Sequence, residues 1–462
     1  MERPSSVDRQ SKDDDEEVTW ADLPSVLLED VYAMLTMRQR FNCSLVCRNW
    51  NDVLLAPRLW RTLDVRQETF RVRRVNRFHS GGFENRLSRY RVKMCLVRIG
   101  RHIHRLRVRP ITDYFYLGQF LCVVSAFIEY FEEYPLPNLR AFEFTFACEV
   151  RDTDGLRVIG TGGKLLEELK CLLGNLRDLT EVTCNQLLLE NDEAIGLLDM
   201  LINNSGHSLT RLEILNSTKI RYPLFYAGML PRLRTLVITP LQLTPEVLMM
   251  VARHEDFRDL VIVQDPHAGP AEVISSRVWW DIKMTSPQLR VTLECRRLAE
   301  SELPIQENAP VQRVIHRSAI SRITLPSVLK LIDEYRLSLR VYAHLGLPRR
   351  HGRRAFRERG DSSLVLLVRE CTNLQTLVVR ERVSTATLLI IATEARALRT
   401  LHVRRNAVLL RCDWPMEDWD DEFRNLLKRT CKSYDLVERE ISQLLGYMWT
   451  MMSDAAFKRL DI

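Results

Sequence analysis

Trp20-Ala21-Asp22-Leu23-Pro24-Ser25-Val26-Leu27-Leu28, then Leu45-Val46-Cys47-Arg48-Asn49-Trp50, then Leu59-Trp60, punctuate the stretch on which the reading of this chain turns. Pro24 stands where a helix can begin, because its ring fixes φ near the helical value and a first turn does not use the missing N–H. Leu27, Leu28, Val31 and Leu35 follow three and four apart, which is a helical stripe. A polar joint, Thr36 to Arg40, leads to a second stripe of Phe41, Leu45 and Val46. A third apolar set, Trp50, Val53, Leu54, Leu59 and Trp60, comes soon after. Three short helices in roughly 40 residues bury too little surface to stand alone. They need a partner, and each large side chain withdrawn from water contributes roughly 1.5–3 kcal/mol to holding one.

This pattern resembles the F-box: Leu-Pro, a leucine-rich first helix, Val-Cys-Arg-x-Trp at the end of the second, and Leu-Trp after the third. Leu23, Pro24, Leu27, Leu28, Val31, Leu35, Val46, Cys47, Arg48, Trp50, Leu59 and Trp60 stand at the positions the pattern asks for. Val26 departs from it, since many members carry an acidic residue before the leucines. The resemblance implies a docking face for a Skp-type adaptor, and through it a cullin scaffold, in a ubiquitin ligase. The adaptor-binding residues it implies are Leu23, Pro24, Leu27, Leu28, Val31, Leu35, Val46, Cys47, Trp50, Leu59 and Trp60. The plain alternative is a helical cap packed on whatever domain follows.

With 462 residues, 46% of them hydrophobic and 27% charged, the chain has room for two or three domains and a large core. Residues 1–17 combine Ser5, Ser6 and Ser11 with the acidic run Asp13 to Glu17 and offer little to bury, so they read as disordered. No basic, apolar leader opens the sequence. Eleven cysteines without paired spacing point to reduced thiols and a cytoplasmic or nuclear setting. The most apolar window, Phe115 to Phe131, includes Gln119 and Glu129 and reads as a buried helix, so no membrane is called for. A net charge of +7 from 67 basic and 60 acidic residues is a mild excess, which by itself supports no claim of nucleic-acid binding.

From Ile103 onward a phrase recurs: a leucine-like residue, two variable positions, another leucine-like residue, one variable, then an apolar β-former. It starts at Ile103, Leu139, Leu179, Leu209, Leu233, Phe257, Ile320, Leu374 and Leu398. The starts at 209, 233 and 257 are 24 apart, as are 374 and 398, the interval of leucine-rich repeats. Leu398 to Val408 fills that template, including Asn406 as the turn-bonding asparagine. Each such unit pairs a strand with a helix and cannot close its own core, so neighbours stack into a curved solenoid. Thr244 to Ala252 and Ser384 to Ala395 read as the helical halves. Asp265-Pro266-His267-Ala268-Gly269-Pro270 and the basic run Arg349 to Arg359 read as inserts, the second where a strand phrase is lost. The first insert, with Trp279 and Trp280 after it, resembles one branch of the F-box-only proteins.

The expected fold is therefore α/β: an N-terminal three-helix F-box, a curved leucine-rich-repeat solenoid with irregular repeats, and a helical cap. Its expected bounds are 1–17 for the acidic segment, 18–62 for the F-box, 63–100 for a linker or first irregular segment, 101–410 for the repeats and 411–462 for the cap. The variable strand positions Arg234, Thr235, Arg399, Thr400 and His402 are candidate target contacts.

Signatures of catalysis are missing. Gly160-Thr161-Gly162-Gly163-Lys164 lacks the first glycine and the Ser or Thr of a phosphate loop. Cys43 with Cys47 and His102 with His104 lack further donors at ligand spacing. The sequence thus calls for no cofactor, no metal and no catalytic residue, and favours a substrate-recognition subunit of a ligase. Two alternatives remain open: a scaffold that binds an acidic protein or nucleic acid through the basic loops, and an enzyme whose site has no recognised motif.

Overall fold

The computed structural model describes residues 19–75, 83–131, 133–152, 155–267, 273–296, 303–349, 354–415 and 419–462. The acidic segment 1–17, Gly81-Gly82, residues 268–270 of the first insert and 350–353 of the basic run lie outside the described residues. The chain divides into two contact units, Met1–Arg140 and Ala141–Ile462.

The first unit opens on a 3-10 turn, Trp20–Asp22, closed by a reciprocal cap between Thr19 and Asp22. Helix α1 (Ser25–Ala33) starts one residue after Pro24, which serves as its N-cap residue. Thr36 and Gln39 form the capping box of α2 (Met37–Cys43), and α3 (Arg48–Val53) follows an extended Cys47. Helices this short are marginal by themselves, and polar side chains tie them together through main-chain carbonyls. Arg40 donates to Tyr32 O, Leu35 O and Leu59 O at 2.8, 3.1 and 2.7 Å. Asn49 donates to Ala21 O and Leu23 O, and the Trp50 indole to Trp20 O.

The described part of residues 63–100, expected as a linker or first irregular segment, contains regular elements. Strand β1 (Thr62–Val65) is followed by an antiparallel hairpin, β2 (Arg71–Val75) with β3 (Phe83–Leu87), and by helix α4 (Arg89–Ile99). β1 pairs in parallel with β4 (Arg105–Val108), the strand of the first repeat phrase. Helix α5 (Tyr114–Tyr130) covers the window expected as a buried helix; it buries Phe120, Leu121, Val124 and Ile128. Among the described residues no helix is long and apolar enough to cross a membrane.

In the second unit, ten of the described strands form one parallel ladder. They are β5 (Ala141–Thr145), β8 (Glu181–Asn185), β9 (Arg211–Leu215), β10 (Thr235–Ile238), β11 (Asp259–Gln264), β12 (Arg290–Cys295), β13 (Val311–His316), β14 (Val341–His344), β15 (Thr376–Val379) and β17 (Thr400–Val403). A hairpin of β6 (Glu149–Asp152) and β7 (Gly155–Val158) and a short pair of β16 (Val383–Ser384) with β18 (Val408–Leu409) stand outside it. Between the strands run α6 (Lys164–Asn175), α7 (Asn191–Ser205), α8 (Pro245–Ala252), α9 (Ser276–Thr285), α10 (Leu325–Tyr335), α11 (Asp361–Glu370) and α12 (Thr385–Glu394). Parallel strands need such crossovers, and here the crossovers supply the other half of the core. The 24-residue phrases pair position for position: Leu212, Leu236 and Leu260 align, as do Ile214, Ile238 and Ile262, and all are buried.

Two strands differ from the sequence reading. The phrase at Ile320 is a turn that leads into α10, and the strands of this region lie at Val311–His316 and Val341–His344. Histidines occupy the last slot of the phrase, where an apolar β-former is expected: His316 and His344 align in register, stack at 4.2 Å and are buried. Asn406 is exposed in a 3-10 turn rather than inside the coil. Gly160-Thr161-Gly162-Gly163 is a tight turn into α6: a Cβ on Gly160 would sit 2.3 Å from Leu188 O, and Gly163 has φ +68°.

Beyond the ladder come α13 (Asp421–Thr430), α14 (Tyr434–Leu445), which packs on α12, and the short α15 (Asp454–Lys458).

Candidate protein-interaction sites

The motif of residues 20–60 separates into two sets of side chains. Leu28, Tyr32, Val53, Leu59 and Trp60 are buried and form the small core. Arg40 lies 5.5 Å over the Trp60 ring, and Tyr32 donates to Trp50 O at 2.9 Å. Burial, helped by Cys43 and Cys47, pushes the Tyr32 phenol up to about 12, so it stays protonated and keeps donating. The other set points outward: Leu27 is 52% exposed, Phe41 57%, Leu45 71% and Val46 65%. Pro24 is exposed as well, and Leu23, Val31, Leu35, Cys47 and Trp50 are half-buried.

Leu28, Leu59 and Trp60 are therefore buried within the segment itself, where they hold the helices that carry the exposed set. Sequence spacing could not make this division, because Leu27 and Leu28 satisfy the same stripe. Phe41 and Leu45, read only as a second stripe, join the exposed set, and Trp20, Val26 and Met34 are exposed beside them. Large apolar side chains exposed together on one small segment mark a surface that meets another protein.

In the second unit, strand alternation places one set of side chains against the helices and the other on the open face of the ladder. Glu181, Arg211, Thr235, Asp259 and Arg290 form one row of that face, and Thr183, Glu213, Val237, Val261, Thr292 and Arg313 the next. These charges are largely matched among themselves. Arg290 meets Asp259 at 2.9 Å, Arg296 meets Glu294 at 2.6 Å, and Arg317 meets Glu294 at 2.9 Å. Thr235 is half-buried in the first row, while Arg234 just before it is exposed and 3.6 Å from Asp256. Arg399, exposed, precedes β17; Thr400 and His402 are half-buried on it, and burial lowers the pKa of His402.

Around His402 the open face is already occupied. Phe457 is fully buried against Ile315, Ala343, Leu345 and Val378, with Met452, Leu460 and Ile462 packed nearby. The Trp449 indole donates to Leu401 O at 2.7 Å, and Met452 bridges to Arg404 in parallel. The candidate contacts thus fall into an accessible group, Arg234 and Thr235, and a group beside an internal occupant, Thr400 and His402.

Within the described part of the basic run, Arg359 has a structural place, while Arg349, Arg354 and Arg357 are exposed. Arg359 is buried and forms paired hydrogen bonds with both Asp361 and Asp413. Burial by itself would lower its pKa; the bonds to Asp413 and Asp361 outweigh that and raise it. Phe356 packs edge-on against Trp414 at 5.0 Å. Among the described residues no group of three or more His, Cys, Asp or Glu side chains is placed to hold a metal ion.

Residues 20–66 match the family model described as F-box-like. Among solved structures, an internalin from Listeria monocytogenes aligns at 11% identity over 67% of this chain and 76% of that chain, with a TM-score of 0.28. At that score the likeness carries no argument about this chain. The strand ladder and its 24-residue period do, and the chain joins an F-box-like segment to an α/β array of the leucine-rich-repeat type.

Proposed function

We propose that this protein is the substrate-recognition subunit of a Skp–cullin–F-box ubiquitin ligase, non-catalytic itself. The F-box-like segment docks on a Skp-type adaptor, which links it to a cullin, and the repeat ladder captures a protein target for ubiquitination. The observation that carries this reading is the exposed apolar set Pro24, Leu27, Phe41, Leu45 and Val46 on a segment matching the F-box-like model. Leu23, Val31, Leu35, Cys47 and Trp50 line the same segment at half exposure, and Leu28, Leu59 and Trp60 support it from within. Each exposed anchor buried by the adaptor would contribute roughly 1.5–3 kcal/mol.

The mechanism is positional. A rigid array holds a captured lysine at a fixed distance from a conjugating enzyme borne by the scaffold, which raises its effective concentration. The eleven cysteines, scattered without paired spacing, suit the reducing cytoplasm or nucleus. A nearer kinship, with F-box only protein 39 and its relatives, rests on Asp265-Pro266-His267 and the tryptophans 279 and 280. The alternative of a nucleic-acid or acidic-protein scaffold loses part of its basic loop, since Arg359 is committed to two carboxylates.

Co-purification with the adaptor tests the reading. Replacing Leu23 and Pro24 together by alanine is expected to abolish capture while leaving the thermal melt of the repeats in place. Undiminished capture by the double variant would overturn the docking assignment.

A further inference from the structure

The open face of the ladder changes character along its length. On β9 to β12 it carries Arg211, Glu213, Asp259 and Arg290 beside a small apolar cluster of Leu215, Val237 and Val263, whereas from β13 on it presents Ile315, Ala343 and Val378. The core of each repeat lies on the helix side, and Ile315, Ala343 and Val378 stand apart from it. They are covered by residues 449–462, a segment from far along the sequence.

That attachment has the anatomy of a bound peptide. Of residues 449–462, Trp449, Met451 and Phe457 are buried and the rest are half-buried or exposed. Met452 N donates to Val403 O at 2.8 Å and Arg405 N to Met452 O at 2.9 Å, a single rung of strand addition. Asp454 accepts from Arg404 Nε and Nη2 at 2.7 and 3.0 Å, and Arg404 is only 4% exposed. A guanidinium so dehydrated requires a carboxylate opposite it. The five residues of α15 are too few to persist as a helix on their own. Upstream, Gly446 (φ +75°), Tyr447 and the 89%-exposed Met448 form an exposed turn between α14 and the segment.

We infer that the open face at β13–β17 is a peptide-binding seat, filled within the free chain by residues 449–462 and taken by a target segment of the same chemistry. That segment carries a carboxylate to meet Arg404 and, about one helical turn later, an aromatic side chain for the Phe457 position. The inference rests on the proposed role of the ladder as the target-binding half. Segments held by few buried groups open at low free energy, so a competing peptide gains access without unfolding the repeats. Capture is then self-regulated: a target must outcompete an intramolecular ligand of high effective concentration.

The test uses the full chain with a specific protease site inserted at Tyr447–Met448, cleaved after folding. A fluorescent peptide of residues 449–462 is expected to exchange into the seat, while peptides with Phe457→Ala or Asp454→Ala bind at least about 10-fold more weakly. Failure of the wild-type peptide to exchange, or collapse of the repeat melt on cleavage, would make the segment a fixed structural closure and overturn the inference. Adaptor capture is measured on the same sample. Capture retained without exchange sinks the seat alone, and exchange without capture sinks the ligase reading and leaves the seat standing.

Discussion

The F-box-like segment and the repeat ladder solve opposite problems with the same residue types. In residues 20–60 leucine, phenylalanine and valine remain exposed, and cohesion comes from Arg40, Asn49, Tyr32 and Trp50 bonding to main-chain carbonyls. In the ladder the leucines and isoleucines lie at 0–2% exposure in register across successive strands, and charges occupy the open face. A repeat has a neighbour to bury its apolar surface; a three-helix segment does not, so its apolar surface is available to another chain. Apolar content alone does not say which of these a stretch will do.

Five substitutions would break or sharpen this contrast. The largest effect is expected in the ladder at Asp361, which is fully buried and accepts from Arg359, Ser384 and Thr387. Asp361→Ala strands the Arg359 charge and should cost about 3–5 kcal/mol, read as loss of denaturant midpoint. Next come the adjacent leucines of α1. Leu28→Ala, at 0% exposure, should destabilise the first unit by about 2–5 kcal/mol. Leu27→Ala, at 52%, should stay within about 0.5 kcal/mol yet weaken adaptor capture. Equal stability losses in that pair would erase the division between supporting and docking side chains.

A smaller effect follows from the buried histidines. Burial first, then Arg380, holds His316 down to about 4; burial, then His316 and Arg380, holds His344 well below its ordinary value. Tyr342, Glu381 and Arg380 are the other titratable groups at this place. The folded chain therefore binds fewer protons than the unfolded one between pH about 6.5 and 4. Stability should fall as the pH falls through that window, by up to about 1.4 kcal/mol per pH unit for each histidine. His316→Leu should flatten this acid limb in melts at stepped pH; an unchanged slope would count against a neutral pair. The smallest effect on stability, within about 0.5 kcal/mol, is expected for Leu45→Ser, with adaptor affinity lowered about 10-fold or more in a titration.

Much of the ladder was legible because its apolar residues recur at the strand and repeat periods, as at Leu209, Leu233 and Phe257. The strands at Val311 and Val341 escaped that reading because His316 and His344 stand in the slot of the apolar β-former, and stacking in register is what lets two imidazoles pack there. The phrase at Ile320 fitted the template and became a turn, since a single copy of a pattern carries no neighbour to pair with. On the F-box side the motif located the helices. The division between Leu27 and Leu28 depends on how α1 lies against α3 and the Pro57–Trp60 turn, which spacing along one helix does not encode.

Sequence by itself determined the succession of this protein: a short helical segment rich in exposed-capable anchors, then strand and helix alternating at a period near 24 residues. These are local facts, fixed by side-chain periodicity against 3.6- and two-residue geometry. Only the tertiary structure decided that Arg359 serves two carboxylates instead of solvent, and that Phe457 and Asp454 close the open face beside Arg404. Apart from Arg359 with nearby Asp361, those contacts join residues about fifty positions apart or more, where the partner is set by which surfaces folding brings together and no interval in the chain records it.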